Sequence, residues 1–153
     1  MLSLLAIKVV KDYKDNNIEI GDISEEMLEI SANATNKIVL DIITDERLRE
    51  MSFGQYEGTE SIYTMPDHPL YKFFKDPENY SDAPTAEPIS DLYARTKDFL
   101  ENTVKPLEGK YENILVVGHG AMNLSLINQV LDIPFKDFWT HMMGNCECVK
   151  LDV

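Results

Sequence analysis

The stretch ILVVGHGAMN, residues 114–123, constrains the fold more than any other. Its four large apolar residues run without alternation, the pattern of a parallel strand covered on both faces. The run stops at Gly118-His119-Gly120, and apolar residues then continue at helical spacing over about 121–131. A buried strand feeding directly into a helix is the unit from which α/β domains are built. In such domains ligands sit beyond the carboxyl ends of the strands, near helix N-termini that attract anions. His119 lies at such a point.

The rest of the chain fits that scheme. Leu92, Tyr93, Thr96, Phe99, Leu100 and Val104 form one helical stripe over about 90–104, and CECVKLDV reads as a closing strand. Leu2, Leu5, Ala6, Val9 and Tyr13 recur at helical spacing and predict a helix over about 2–15. The β-branched Ile7, Val9 and Val10 keep a strand over 4–10 as the competing reading. IEIGDI has strand composition, Asp22 or Ser24 caps a helix carrying Met27, Leu28 and Ala34 to about Ile38, and IVLDII supplies a short strand ending near Thr44. DERLREMSFGQYEG is a polar, glycine-bearing loop with a helical turn, of the kind that carries function. Residues 59–88, rich in Pro, Asp and aromatics, read as a cap-like insertion with a short helix around 70–75. The alternation predicts a three-layer α/β/α sandwich with a mostly parallel sheet. All 153 residues form a single domain, a size that buries roughly 70% of the unfolded surface.

Charge narrows the function. With 27 acidic against 14 basic residues the net charge is −13, a field that repels nucleic acid and anionic membranes, so neither is an expected partner. The longest apolar run is interrupted by Lys8 and too short to span a bilayer, and no basic leader precedes it, which reads as a cytoplasmic protein. Cys146 and Cys148 are too close along a strand for an ordinary disulfide. Even with His141 they fall short of a four-ligand zinc site, so they read as reduced core thiols; no metal and no cofactor is expected. His68 and His141 read as surface or packing residues.

TDERLREMSFGQYEG, then DPENY, then ISDLYARTKDFLENTV, then ILVVGHGAMN and finally GNCECVKLDV together resemble the phosphoglycerate mutase-like branch of the histidine phosphatase superfamily. In that family the first strand lies beside the strand corresponding to ILVVG and ends in Arg-His-Gly, whose His is phosphorylated. A second Arg comes from the helix after the second strand. A Glu in Leu-x-Glu-x-x-x-Gly-x-x-Glu-Gly is the proton donor, and a second His follows the later strand. The resemblance implies Glu50 as the acid and His119 as the second His, with Gly120 and Asn145 beside them. Arg47 and Arg49 could reach the pocket mouth, although ion pairs with the abundant acids are the competing role. The implied ligand is phosphate or a phosphorylated small molecule.

The departures matter as much. LSLLAIKVVKDYKDNN resembles the family's first helix, so the chain reads as lacking the first strand, and no Arg-His pair occurs in it. SEEMLEISANATNKI puts Glu29 or Ile30 where the second Arg is expected, Thr85-Ala86-Glu87 replaces Gly-Gly-Glu, and Ala121 replaces the Gly after His119-Gly120. A missing central strand leaves two ladders of backbone groups to satisfy. Re-pairing of the sheet, conversion of residues 3–10 into a strand, or a homodimer through the exposed edges would each do so. Three functional readings follow: a domain with impaired or absent catalysis, an active phosphomonoesterase or phosphomutase whose first strand lies upstream of the recorded start, or a purely structural domain.

Overall fold

The computed structural model describes residues 3–8, 43–111, 113–144 and 147–153. Ser3–Lys8 forms strand β1, the middle of the three strands that pair into a sheet among the described residues. It runs parallel to β2, Asn113–Gly118, and antiparallel to β3, Cys148–Asp152. The helix expected over 2–15 is therefore corrected at 3–8, and the stretch expected to be lacking from the sheet is filled by these residues. The physical reason is the slot itself. A segment between two strands has its backbone groups satisfied on both sides, which outweighs a local helical spacing of apolar residues. Parallel register sets Leu4 against Ile114 and Lys8 against Gly118, the last residue of β2.

Among the described residues one pairing of the sheet is parallel and one antiparallel. The connection after the helix following β2 explains this. That helix, α3 (Gly120–Val130), carries the chain away from the strand ends, and residues 131–147 bring it back, so β3 starts opposite Ile7 and runs the other way. An α/β architecture stands, with α3 packed on β1 and β3. The helix expected through about Ile38 lies outside the described residues, as does most of the strand expected near Thr44; residues 43–44 have no regular structure.

Every residue of α3 from Ala121 to Asn128 is buried. A helix apolar nearly all round belongs in the middle of a domain. Two of its polar residues, Ser125 and Gln129, meet its neighbour α2, Ile89–Phe99, which continues through a wider turn to Val104. The Thr96 hydroxyl donates to the Leu92 carbonyl (2.8 Å), lies 3.1 Å from the Ser125 hydroxyl and accepts from Gln129 Nε2 (2.8 Å). Thr96 and Ser125 are fully buried, so this rung fixes the helix pair in register.

The segment 59–88, expected to be a cap-like insertion, contains α1, Tyr71–Lys75, one residue inside the expected helix. It is held by rings: Phe73 meets Phe74, Tyr80, Phe138 and Trp139 at centroid distances of 5.1, 5.3, 5.4 and 5.0 Å. Trp139 Nε1 donates to the Phe73 carbonyl at 2.6 Å, so the indole packs without stranding its polar atom. His68 has a structural task here. Its Nδ1 accepts from the Leu70 amide (3.1 Å), and its ring meets Tyr56 edge-on at 5.0 Å.

Candidate active site

His119 is the N-cap residue of α3, extended at φ −113° and ψ 177°, and its side chain is exposed. N-cap residues usually satisfy the first-turn amides with a side-chain oxygen. An imidazole offers none, and His119 makes no such bond. Glu50, about seventy residues earlier, takes over. Its Oε1 accepts from the Met122 amide (3.0 Å) and its own neighbour Met51 (2.7 Å), while Oε2 accepts from Ala121 (3.2 Å). A carboxylate at a helix N-terminus also faces the positive end of the helix dipole. The two residues singled out by sequence as acid and second histidine thus converge on one helix turn, with Gly120 between them as its first residue.

Close approach at the strand end depends on Gly118. A Cβ there would stand 1.9 Å from Met122 Cε and 2.7 Å from Asn123 Oδ1, so a larger residue would require those two side-chain ends to shift.

The loop carrying Glu50 is braced from below. Arg95, on α2, grips Glu87 with two bonds, Nε to Oε1 at 2.6 Å and Nη2 to Oε2 at 3.0 Å. Its Nη1 donates to the Arg47 carbonyl at 2.5 Å. Glu87 in turn accepts from the Ser52 amide (3.2 Å), and its own amide donates to the Ser52 carbonyl (2.8 Å). The side chains are only 14% and 10% exposed, so the pair is largely desolvated and both ions rely on each other. Burial alone would raise the Glu87 carboxyl. The Arg95 bonds and charge, the Ser52 amide and the more distant Arg49 charge outweigh it and hold the group below its ordinary value.

A group with a depressed folded pKa adds stability above its unfolded value, and that stability is lost as pH falls through the folded value. Glu87→Gln should therefore lower the unfolding free energy by about 1–3 kcal/mol near pH 7, the range for a hydrogen-bonded charged group. The gap to the unchanged protein should shrink steadily below about pH 4.5, where this carboxyl ordinarily titrates, in urea titrations run at stepped pH.

Arg47 is committed elsewhere. It bonds Asp45 (2.6 Å), Asp98 (2.5 Å) and the Thr103 hydroxyl (2.6 Å), and lies over the Phe99 ring at 5.5 Å. The Arg47 hydrogen bond is the main reason the Asp45 carboxyl sits below its usual range. Arg49 is exposed and makes no ion pair among the described residues. Asn145 and Cys146 lie outside them, and Cys148 is half-buried with its thiol pushed up by that burial. No helix among the described residues is long and apolar enough to cross a membrane.

Sequence reasoning noted Glu87 only as the remnant of a motif and gave Arg95, one of the chain's three arginines, no role. Nothing in the spacing of the two announces their pairing across the 47–52 loop.

A strand ending at Gly118, a helix with His119 at its N-cap position and the Glu50 carboxylate on its first amides make up the candidate site of an α/β domain. The family model of the histidine phosphatase superfamily (branch 1) matches residues 25–153, and the chain belongs to that family. It is 30% identical over 112 residues to a protein of Hydrogenobacter thermophilus named "Putative phosphoserine phosphatase 2", covering 72% of this chain and 53% of that protein. The chain thus spans about half the length of the curated relative it matches. Among solved structures, Bacillus stearothermophilus YhfR superposes with a TM-score of 0.70 at 20% identity, over 100% of this chain and 92% of that one. A mycobacterial glucosyl-3-phosphoglycerate phosphatase superposes at 0.65 and 17% identity, over 99% and 89%. The α-ribazole phosphatase of Shigella flexneri does so at 0.63 and 15%, over 99% and 90%. These likenesses establish the shared fold.

Proposed function

We propose that this domain binds phosphate or a phosphomonoester beside His119 and turns it over weakly or not at all. Glu50 and His119 are the surviving proton donor and second histidine of the family's chemistry. The observation that carries this reading is the pairing of β1 with β2. Lys8 lies opposite Gly118, the last residue of β2, and the sequence continues Val9-Val10. The resemblance calls for Arg-His-Gly at this level of the sheet. Without an imidazole to attack phosphorus no phosphoenzyme forms. Without the two arginines that the resemblance calls for, one beside the attacking histidine and one at the position of Glu29 or Ile30, the charge developing on the equatorial oxygens loses its screening, and the loss of one such group costs roughly 10³-fold. A net charge of −13 adds repulsion toward an anionic substrate.

The test is hydrolysis of p-nitrophenyl phosphate by this chain, by His119→Ala and by a Lys8→Arg/Val9→His double variant. The first two should run within about twofold of each other. The third should exceed them, with a phosphohistidine trapped by acid-free mass spectrometry. Turnover that falls a hundredfold in His119→Ala would overturn the reading.

A second reading, an active phosphomonoesterase, is favoured by the relative whose length this chain covers only to 53%. It requires an in-frame strand ending in Arg-His-Gly upstream of Met1, which the coding region would reveal.

A further inference from the structure

The loop bearing Glu50 is pinned on both sides of that residue by one ion pair: Arg95 holds the Arg47 carbonyl, and Glu87 holds Ser52 through both its carboxylate and its amide. Between these anchors the backbone has few ways to present position 50. We infer that Arg95 and Glu87 are positioning residues whose joined side chains aim the Glu50 carboxylate at the first turn of α3. The inference rests on the reading of Glu50 as the acid of the site, and it names the device that orients that acid. A long side chain on a loop otherwise samples several rotamers, and an acid held in one geometry acts on one point in space.

The geometry supplies its own reporter. Ala121 and Met122 are first-turn amides with no acceptor within their helix, and His119 does not cap them, so their protection comes from Glu50 alone. Breaking the strut should free the carboxylate and expose those two amides while the buried turns from Leu124 to Ile127 stay closed. A residue that merely stabilised the fold would raise exchange everywhere together.

Amide hydrogen exchange followed by NMR tests this on Arg95→Ala, on Glu87→Gln, which keeps the shape of the side chain, and on Glu50→Ala. The expected result is exchange at Ala121 and Met122 about tenfold faster or more in all three, with Leu124 to Ile127 within about twofold of the unchanged protein after correction for global stability. Arg95→Ala added to Glu50→Ala should change the two amides no further. A folded Arg95→Ala or Glu87→Gln protein whose Ala121 and Met122 amides exchange at the original rate would overturn the inference. The measurement needs no turnover, so an inert chain leaves it intact, and a failure here leaves the phosphate reading to its own assay.

Discussion

Phe73→Ala should lower the unfolding free energy by about 3–5 kcal/mol, the range for emptying a fully buried aromatic site. Phe73 is 0% exposed and touches rings from three separate segments: Phe53 from the Glu50 loop, Phe74 and Tyr80 from the insertion, and Phe138 and Trp139 from the return to β3. Each ring contact adds to the area term, and the rigid neighbours cannot collapse into the space left behind. Urea unfolding followed by circular dichroism gives the number. Fluorescence of Trp139, the one tryptophan of the chain, reads the same site directly because its ring lies 5.0 Å from Phe73. Tyr63→Ala, on an exposed ring of the same insertion, should change stability by less than about 0.5 kcal/mol. Equal losses in the two variants would contradict the claim that the cluster holds the insertion to the domain.

The second large effect is at Gly54. Its φ of +57° lies in the left-handed region, which costs an ordinary residue about 1–2 kcal/mol. A Cβ would also stand 2.1 Å from the Thr85 carbonyl oxygen and 2.5 Å from its carbon. These are backbone atoms that cannot swing aside, and forcing them apart costs a further 1–3 kcal/mol or so. Gly54→Ala should thus lose about 2–5 kcal/mol and separate the Glu50 loop from the 85–87 segment, breaking the Gln55 amide's bond to the Thr85 hydroxyl (3.0 Å). Gly58 supplies the control: at φ +74° a methyl group added there would meet nothing within 4 Å, so Gly58→Ala should show the backbone cost alone. Paired unfolding curves measure the difference, and indistinguishable midpoints would show that the loop yields without strain.

Much of the site was legible along the chain. The strand, turn and helix around His119 follow from an apolar run that stops at Gly-His-Gly, but the expected cover on both faces of the strand fails at Leu115 and Val117, each 46% exposed. The helix over 90–104 and the short one near 70–75 were legible in the same way. The role of residues 3–8 was not. Leu5, Ala6 and Ile7 suit a helix as well as a strand, and only the presence of β2 and β3 on either side decides between them.

Glu50 could be named from its motif, and its proximity to His119 from the order of the strands. Its hydrogen bonds to Ala121 and Met122 could not, nor could the strut of Arg95 and Glu87 beneath it, since charges carry no record of which partner they will meet. The amino-acid order of this chain set where apolar surface had to be buried, and with it the elements and the strand end that carries His119. Three-dimensional packing alone chose the occupant of the central slot, the direction of the last strand and the partner of each ion, because those depend on contacts between segments tens of residues apart.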